Sequence, residues 1–210
     1  INTCIELDQF KIFDKKKIEE IRKAHNIPNN SIVVGNVGAV IPIKNPGLFV
    51  QIAKKIIKRY PNIYFIWLGE GYLRENITNS IIASNLGNKI IFPGNISRSR
   101  IGQYYKLFSI FLSTSLTEVY PISVIEAKVS KLPVVVPRFP GSTDIVNDGQ
   151  TGLTYETNDV SDACINLEKL INNGDFREKL ACAGYYQALK NNLCVDDFIK
   201  KHEEIYSSIT

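Results

Sequence analysis

Short apolar runs alternate along this 210-residue chain with longer stretches in which apolar and polar positions repeat at a helical period. The apolar runs are rich in β-branched residues and lack a polar face, which is typical of strands covered on both sides of a parallel sheet. They predict six strands, Ser31–Val40, Ile63–Leu68, Lys89–Phe92, Ile110–Ser113, Pro133–Val136 and Leu153–Tyr155. Helices alternating with such strands pack against both faces of the sheet.

The segments outside the strands carry the helical pattern, most clearly at Leu48, Ile52 and Ile56, which form one apolar stripe. Asp14 is the expected N-cap of the first predicted helix. Gly87 is the expected left-handed residue that follows the third predicted helix. The predicted helices are Lys15–His25, Pro46–Tyr60, Leu73–Asn85, the segment from its N-cap Ser97 to Phe108, Pro121–Ser130, Ser142–Val146, Val160–Asn172, Asp175–Asn191 and Val195–Ser208. We therefore expect an α/β fold with a doubly wound, Rossmann-like parallel sheet of about six strands.

The pattern also suggests how the chain is organised. Residues 1–30 are expected to be a linker and a short helix that enter a single domain, residues 31–210. Within that domain, 195–210 would be a terminal helix that contacts a domain missing from this chain. In that case Phe198 and Ile205 would form an exposed apolar stripe.

Composition and charge narrow the classes of function. The net charge is only +4, without a large basic patch, so we expect no nucleic-acid partner, whereas weak attraction to an acidic membrane surface stays open. Four cysteines without a C-x-x-C pair and two histidines indicate neither a metal site nor disulfides, as in a cytoplasmic protein. The chain contains no Met and begins at Ile1, which favours a processed chain or an excised fragment. It has no signal-peptide pattern and no apolar run of the roughly 18 residues that a membrane span needs.

Two glutamates follow the fourth predicted strand, Glu118 in the loop and Glu126 on the next helix. Ligands of doubly wound sheets bind at the carboxyl ends of the strands, where this loop lies. Pro121 occupies the expected first position of the helix, so the amides of Ile122 and Ser123 would be free for a phosphate. The carboxylates would reach different depths of one crevice, which suits two parts of a polyhydroxylated ligand better than a shared acid–base pair. From this segment alone, two surface glutamates of an ordinary helix start are the simpler interpretation.

The loop after the first strand carries one strong cation, Lys44. At that edge of the sheet it would neutralise a diphosphate leaving group, and a solvated surface lysine is the alternative. Gly35 and Gly38 do not form the G-x-G-x-x-G pattern, and no acidic residue stands at the second strand tip to hold a ribose. These features exclude an NAD site, and the chain has no Walker A run.

Several motifs, each weak alone, follow an order and spacing that resembles the group 1 retaining glycosyltransferases of the GT-B fold. They are Lys44-Asn45, Leu68–Gly71, Phe92–Gly94, the Glu118/Glu126 pair with Ala127, Leu132–Val136 and Gly141–Leu153. The likeness runs from Asn2 to about Tyr155, and Asn2–Phe10 resembles the stretch that enters the C-terminal domain of that family. The resemblance implies that the chain is the C-terminal half of a GT-B fold.

The resemblance also implies a donor site. Its candidate catalytic residues are Lys44 and Glu118, and its candidate donor-binding residues are Gly38, Asn95, Ile96, Tyr120, Ile122, Ser123 and Glu126. In this scheme Glu126 binds the ribose hydroxyls, Glu118 the donor sugar, and Lys44 the diphosphate. Backbone groups around Asn95 and Ile96 recognise the base. The family usually works without a metal held by an Asp-x-Asp motif, and this chain has no such motif.

By resemblance, the chain is the nucleotide-sugar-binding domain of an enzyme that makes a surface polysaccharide or glycolipid. The donor would be a UDP- or GDP-sugar, with no cofactor. The acceptor, a glycan or lipid-linked sugar, would lie largely on an absent N-terminal domain, so this chain alone should bind the donor without turnover. Ala39 stands where the family commonly has arginine, and Val119 replaces a small residue. Two alternatives therefore stay open, a non-catalytic interaction module with a degenerate donor site and a GT-B sugar-nucleotide epimerase.

Overall fold

In the computed structural model of the protein, residue 10 and residues 14–190 are described. The predicted last helix, Val195–Ser208, with its apolar stripe, lies outside these residues, as does most of the predicted entry segment, Asn2–Phe10. None of the helices within the described residues is long and apolar enough to cross a membrane.

One six-stranded sheet forms the centre of the molecule. Its strands are β1 (Ile32–Val37), β2 (Ile63–Leu68), β3 (Ile90–Gly94), β4 (Ile110–Leu112), β5 (Val134–Pro137) and β6 (Leu153–Tyr155). They lie in the order β3-β2-β1-β4-β5-β6, and every neighbouring pair is parallel. The order reverses between β1 and β4, which makes the sheet doubly wound. The predicted fold class is thereby confirmed.

Helices connect the strands and cover the sheet. They are α1 (Lys15–Ala24), α2 (Pro46–Arg59), α3 (Arg74–Ala83), α4 (Arg98–Leu107), α5 (Ile122–Val129), α6 (Pro140–Thr143), α7 (Val160–Asn172) and α8 (Gly174–Lys190). A short 3₁₀ helix, Pro42–Lys44, precedes α2. Asp14 caps α1 as predicted, since its carboxylate accepts a hydrogen bond from the Lys17 amide at 3.2 Å.

Two apolar clusters lie on opposite faces of the sheet because successive strand residues point to opposite sides. On one face Phe65 and Trp67 of β2 pack with Phe49 of α2, at ring distances of 5.5 and 5.2 Å. On the other face Phe111 of β4 stacks against Tyr105 of α4 at 6.0 Å. All six β2 residues are buried, which explains why the sequence predicted the limits of this strand correctly.

Three local predictions are wrong. The left-handed residue after α3 is Asn85, with φ of 55°, rather than Gly87, because the helix already ends at Ala83 and asparagine tolerates this conformation. The first strand stops at Val37 rather than Val40, since the chain there turns into the loop before α2. The short helix α6 begins at Pro140 rather than Ser142. Ser97 is the N-cap residue of α4 as predicted, although its hydroxyl bonds Ser99 and makes no capping hydrogen bond.

Candidate functional site

The candidate site lies at the carboxyl edge of the sheet, where β1 and β4 are neighbours. Their following loops run to opposite sides and leave a crevice between them. The β1 loop ends in the 3₁₀ helix that carries Lys44. Asn45 comes next in the left-handed conformation, with φ of 50°, and its side chain accepts the Leu48 amide at 3.3 Å to cap α2. The loop conformation therefore fixes the direction in which Lys44 leaves the backbone.

Lys44 and Glu118 form an ion pair across this crevice. The lysine Nζ lies 2.5 Å from Glu118 Oε2, and the side chains are 23% and 14% exposed, respectively. Ser115 donates its hydroxyl to the other carboxylate oxygen, Oε1, at 2.6 Å. Both oxygens of Glu118 therefore have a donor in this structure. Such a half-buried pair is stronger than an exposed one, because less solvent screens it.

Backbone contacts join the two loops that supply this pair. The Leu116 amide donates to the Ile43 carbonyl at 2.8 Å, and the Thr114 hydroxyl donates to the Lys44 carbonyl at 2.9 Å. Gly141 at the start of α6 packs directly against the Glu118 backbone, where an added Cβ would lie 2.0 Å from the carbonyl oxygen. Only glycine fits there, so α6 supports the loop from behind.

Glu126 is held from the interior of the protein instead. It lies on α5, and its Oε2 accepts a hydrogen bond from the Tyr105 hydroxyl at 2.7 Å. Burial raises the pKa of Glu126, and the Tyr105 hydrogen bond and the positive charge of Arg98 oppose that rise. Burial, together with the Glu126 charge and this bond, raises the pKa of Tyr105 well above its ordinary value, so the phenol stays a donor.

The start of α5 differs from the expectation. Pro121 is the N-cap residue rather than the first helical residue, and its carbonyl accepts the amides of Val124 and Ile125 at 3.0 and 3.4 Å. The Ile122 amide is not free as predicted, because it donates to the Tyr120 carbonyl at 3.0 Å in a tight turn. The amides of Ile122 and Ser123 were both expected to be available to a phosphate. Only the Ser123 amide remains a candidate for that contact.

A cavity of about 300 Å³ opens at the carboxyl ends of β1, β2 and β3. Its lining includes the predicted residues Gly38, Asn95 and Ile96, together with Glu70 and Ala39. Most of the remaining lining is apolar, which suits the flat face of a nucleobase.

The floor of this cavity is tightly packed. Trp67 donates its indole N–H to the Gly38 carbonyl at 2.8 Å, and a Cβ at Gly69 would lie 2.1 Å from that same oxygen. The Lys44 side chain runs over Gly38, since a Cβ added there would meet Lys44 Cδ at 3.7 Å. The ion pair and the cavity are thus adjacent parts of one crevice. On the α4 side, Ile101 lines the cavity one turn before Tyr105.

The two positions that depart from the family pattern have different surroundings. Ala39 is exposed and lines the cavity next to Gly38, so a longer side chain has room there. Val119 is 96% exposed and extends into solvent. Tyr120 is half-buried and packs against the core cluster beneath α5.

Sequence reasoning missed the residues that support the site. Ser115 stands three residues before Glu118, a spacing that could have suggested a loop hydrogen bond. Tyr105 gives no such signal, because its contact with Glu126 joins two helices across 21 residues of chain. Within the described residues, no group of three or more His, Cys, Asp or Glu side chains could hold a metal ion.

The family model described as "Glycosyl transferases group 1" matches residues 17–187 of this chain. The chain belongs to the group 1 glycosyltransferases. The predicted recognition is thereby confirmed, and the six-stranded fold fits a C-terminal domain of this family.

Among curated relatives of this glycosyltransferase chain, the poly(ribitol-phosphate) α-N-acetylglucosaminyltransferase of Staphylococcus aureus is 28% identical over 171 residues. That match covers 80% of this chain and 34% of the relative. Across eight such relatives the share of their length that is covered runs from 34% to 47%. The chain therefore spans less than half the length of these relatives.

Two solved structures show the same fold. The C-terminal domain of a group 1 glycosyltransferase, LpcC of Francisella tularensis, superposes with a TM-score of 0.78 at 21% identity, covering 91% of this chain and 99% of that one. HepE of Anabaena, solved in complex with UDP and glucose, gives a TM-score of 0.86 at 18% identity, covering 98% and 55%. This chain thus matches just over half of the HepE chain.

Proposed function

We propose that this chain is the donor-binding domain of a retaining glycosyltransferase, which transfers a sugar from a nucleotide-sugar to a glycan or lipid-linked acceptor. One observation carries the proposal. Lys44 from the β1 loop and Glu118 from the β4–α5 loop meet at one edge of the sheet, and Glu126 follows on the helix after that loop. A largely apolar cavity opens at the same edge. Family membership and the UDP complex of HepE support the same assignment.

Each part of the crevice fits one part of a nucleotide-sugar. The cavity beside Asn95 and Ile96 accepts the base, and Glu126 accepts hydrogen bonds from the ribose hydroxyls. Lys44 and the Ser123 amide at the start of α5 bind the diphosphate, because both are donors and the helix end adds a partial positive charge. Glu118 then accepts hydrogen bonds from hydroxyls of the donor sugar.

The Lys44–Glu118 pair suggests how donor binding proceeds. A diphosphate offers Lys44 more negative charge than one carboxylate does, so Lys44 would transfer from Glu118 to the phosphates. Glu118 keeps its Ser115 hydrogen bond and becomes free to accept sugar hydroxyls. Donor binding and preparation of the sugar subsite would therefore be a single exchange of partners.

The same arrangement supports the chemical step. The bond between the anomeric carbon and the diphosphate oxygen breaks, and its electron pair stays on that oxygen. Lys44 and the start of α5 stabilise the charge that develops there, which lowers the barrier. The acceptor hydroxyl forms the new bond on the face that the diphosphate leaves, and its proton passes to the diphosphate oxygen. The acceptor itself is bound by the part of the longer enzyme that this chain does not include.

A second function has one specific observation in its favour. Ala39 leaves Lys44 without the second cation that the family commonly places there. A non-catalytic module that keeps the fold but binds donors poorly would show this change. Nucleotide affinity separates the two functions.

Calorimetric titration of the 210-residue chain with UDP, GDP and ADP, and with their sugar conjugates, tests the proposal. We expect saturable binding of one nucleotide family, weakened in Glu126→Ala and unchanged in the control Glu178→Ala, an exposed glutamate on α8. The absence of binding by all of these ligands would contradict the donor-domain function and favour the non-catalytic module. Equal losses in both variants would show that Glu126 has no specific role.

A further inference from the structure

Tyr105 is a fully buried tyrosine whose hydroxyl reaches the candidate site from within the core. Its ring is enclosed by aromatic side chains, with centroid distances of 5.4 Å to Phe10, 5.9 Å to Phe108 and 6.0 Å to Phe111. Two of these contacts are edge-to-face and one is stacked, so they restrict the ring from several directions. The position of the hydroxyl is therefore set by core packing and does not depend on the ligand.

The hydroxyl has two acceptors, and both belong to α5. It donates to Glu126 Oε2 at 2.7 Å and lies 3.3 Å from the Ser123 carbonyl. One buried group thus contacts the helix both at its first turn and at the glutamate. A free glutamate side chain has several rotamers, and fixing one of them costs free energy when a ligand binds. A hydrogen bond made in advance removes much of that cost.

We infer that Tyr105 is a positioning residue, whose hydroxyl orients the Glu126 carboxylate so that it accepts the ribose hydroxyls of the donor. This inference rests on the proposed function, because it requires that Glu126 bind a ribose. Tyr105 itself does not touch the ligand. The donated hydrogen bond also favours the ionised carboxylate, against the burial that raises the pKa of Glu126. The Tyr105 hydroxyl therefore maintains both the orientation and the ionised state of the Glu126 carboxylate.

A purely structural role for Tyr105 makes a different prediction. If the hydroxyl only satisfies a buried polar group, its loss would weaken the binding of every ligand of the site to the same extent. If the hydroxyl positions Glu126, its loss would weaken the binding of only those ligands that have ribose hydroxyls. The difference can be measured with UDP and GDP and their 2′,3′-dideoxy analogues.

The experiment measures the affinity of the 210-residue chain for these four nucleotides in three backgrounds, unaltered, Tyr105→Phe and Tyr104→Phe. Tyr104 is the matched control, since its buried hydroxyl lies on the same helix and contacts His25 at 3.1 Å instead of Glu126. We expect Tyr105→Phe to weaken binding of the preferred ribonucleotide about ten-fold, as for loss of one hydrogen bond to a charged group. The same substitution should leave the affinity for the dideoxy analogue unchanged, and Tyr104→Phe should change neither affinity.

A double variant separates positioning from a general loss of packing. Adding Tyr105→Phe to Glu126→Ala should have no further effect on ribonucleotide affinity, because the residue that Tyr105 orients is gone. Equal weakening of ribo- and dideoxynucleotides, or a full additional loss in the Glu126→Ala background, would overturn the positioning role while leaving the donor function in place. Absence of nucleotide binding by the unaltered chain would overturn both.

Discussion

The two glutamates of the site are held in contrasting ways. Glu118 lies in a loop and is held by a cation and a hydroxyl from the two loops of the crevice. Glu126 lies on a helix and is held by a neutral donor that is fixed in the core. In the proposed function an anionic ligand would replace Glu118 as the partner of Lys44, but it would not compete for the Tyr105 hydroxyl without entering the core. The site would therefore consist of a part that rearranges on binding and a part that is preformed.

The largest expected effect separates the glutamates directly. Glu126→Ala should weaken binding of the preferred nucleoside diphosphate roughly 100-fold, because the two hydrogen bonds that we propose from the ribose to this carboxylate would be lost. Glu118→Ala should leave the affinity for the free diphosphate unchanged or a few-fold higher, since Lys44 no longer has a competing partner. Calorimetric titration of both variants measures the difference. Equal losses of nucleotide affinity in the two variants would contradict the proposed difference between Glu118 and Glu126.

The next largest effect concerns Lys44, the cation that we expect to exchange Glu118 for the diphosphate. Lys44→Met should weaken binding of the nucleoside diphosphate about ten-fold and leave binding of the corresponding nucleoside unaffected, because we propose that the lysine binds only the phosphate part of the ligand. The loss should shrink at high salt, which screens the charge in the unaltered chain. The matched control is Lys169→Met, which removes a lysine on α7. A similar loss for the nucleoside would mean that Lys44 acts by supporting the loop.

A third prediction concerns Ala39, which stands where the family commonly has an arginine. A cation restored at this position should increase the affinity for the diphosphate. Ala39→Arg adds a guanidinium to an exposed position of the cavity lining, beside the glycine over which Lys44 runs. We expect the diphosphate to bind several-fold more tightly, as for an added partly exposed charge contact. Titration of Ala39→Gln, which adds length without charge, provides the control. If both variants bind more weakly than the unaltered chain, the cavity has no room for the side chain.

The smallest effect is in the pH dependence of stability. Burial raises the pKa of Glu126 from 4.5, so the native state binds this proton more tightly than the unfolded state does. The stability that this proton contributes is fully present below about pH 4.5 and is lost as the pH rises through the native pKa. The free energy of unfolding of the unaltered chain, relative to Glu126→Gln, should therefore fall as the pH rises from 4 to 7. Urea denaturation at several pH values measures it, and a constant difference would contradict the burial effect.

Much of this molecule could be predicted because the informative residues act locally. Strand β2 was predicted at its correct limits, since all six of its side chains are buried and its sequence is continuously apolar. Lys44, Glu118 and Glu126 were identified as candidates because loops at the carboxyl ends of parallel strands converge on one edge. The structure brings Lys44 and Glu118 into contact, and the role of each in binding stays a prediction.

The rest depends on contacts that a sequence does not display. The bond between Tyr105 and Glu126 needs the packing of α4 against α5 to bring the side chains together. The Ile122 amide was expected to be free, but the turn at Tyr120 uses it before the helix begins. Asn85 takes the left-handed position that Gly87 was predicted to hold, because α3 already ends at Ala83.

The Lys44–Glu118 pair also affects how fast a ligand arrives. From a distance the opposite charges of these side chains largely cancel, so the pair contributes little long-range attraction for an anion. Electrostatic steering, which accelerates association when a cleft carries one sign of charge, is weak in that case. The association rate of a nucleotide should then vary little with ionic strength. Selectivity would arise in the dissociation rate, because only a ligand that displaces Glu118 from Lys44 would remain bound for long.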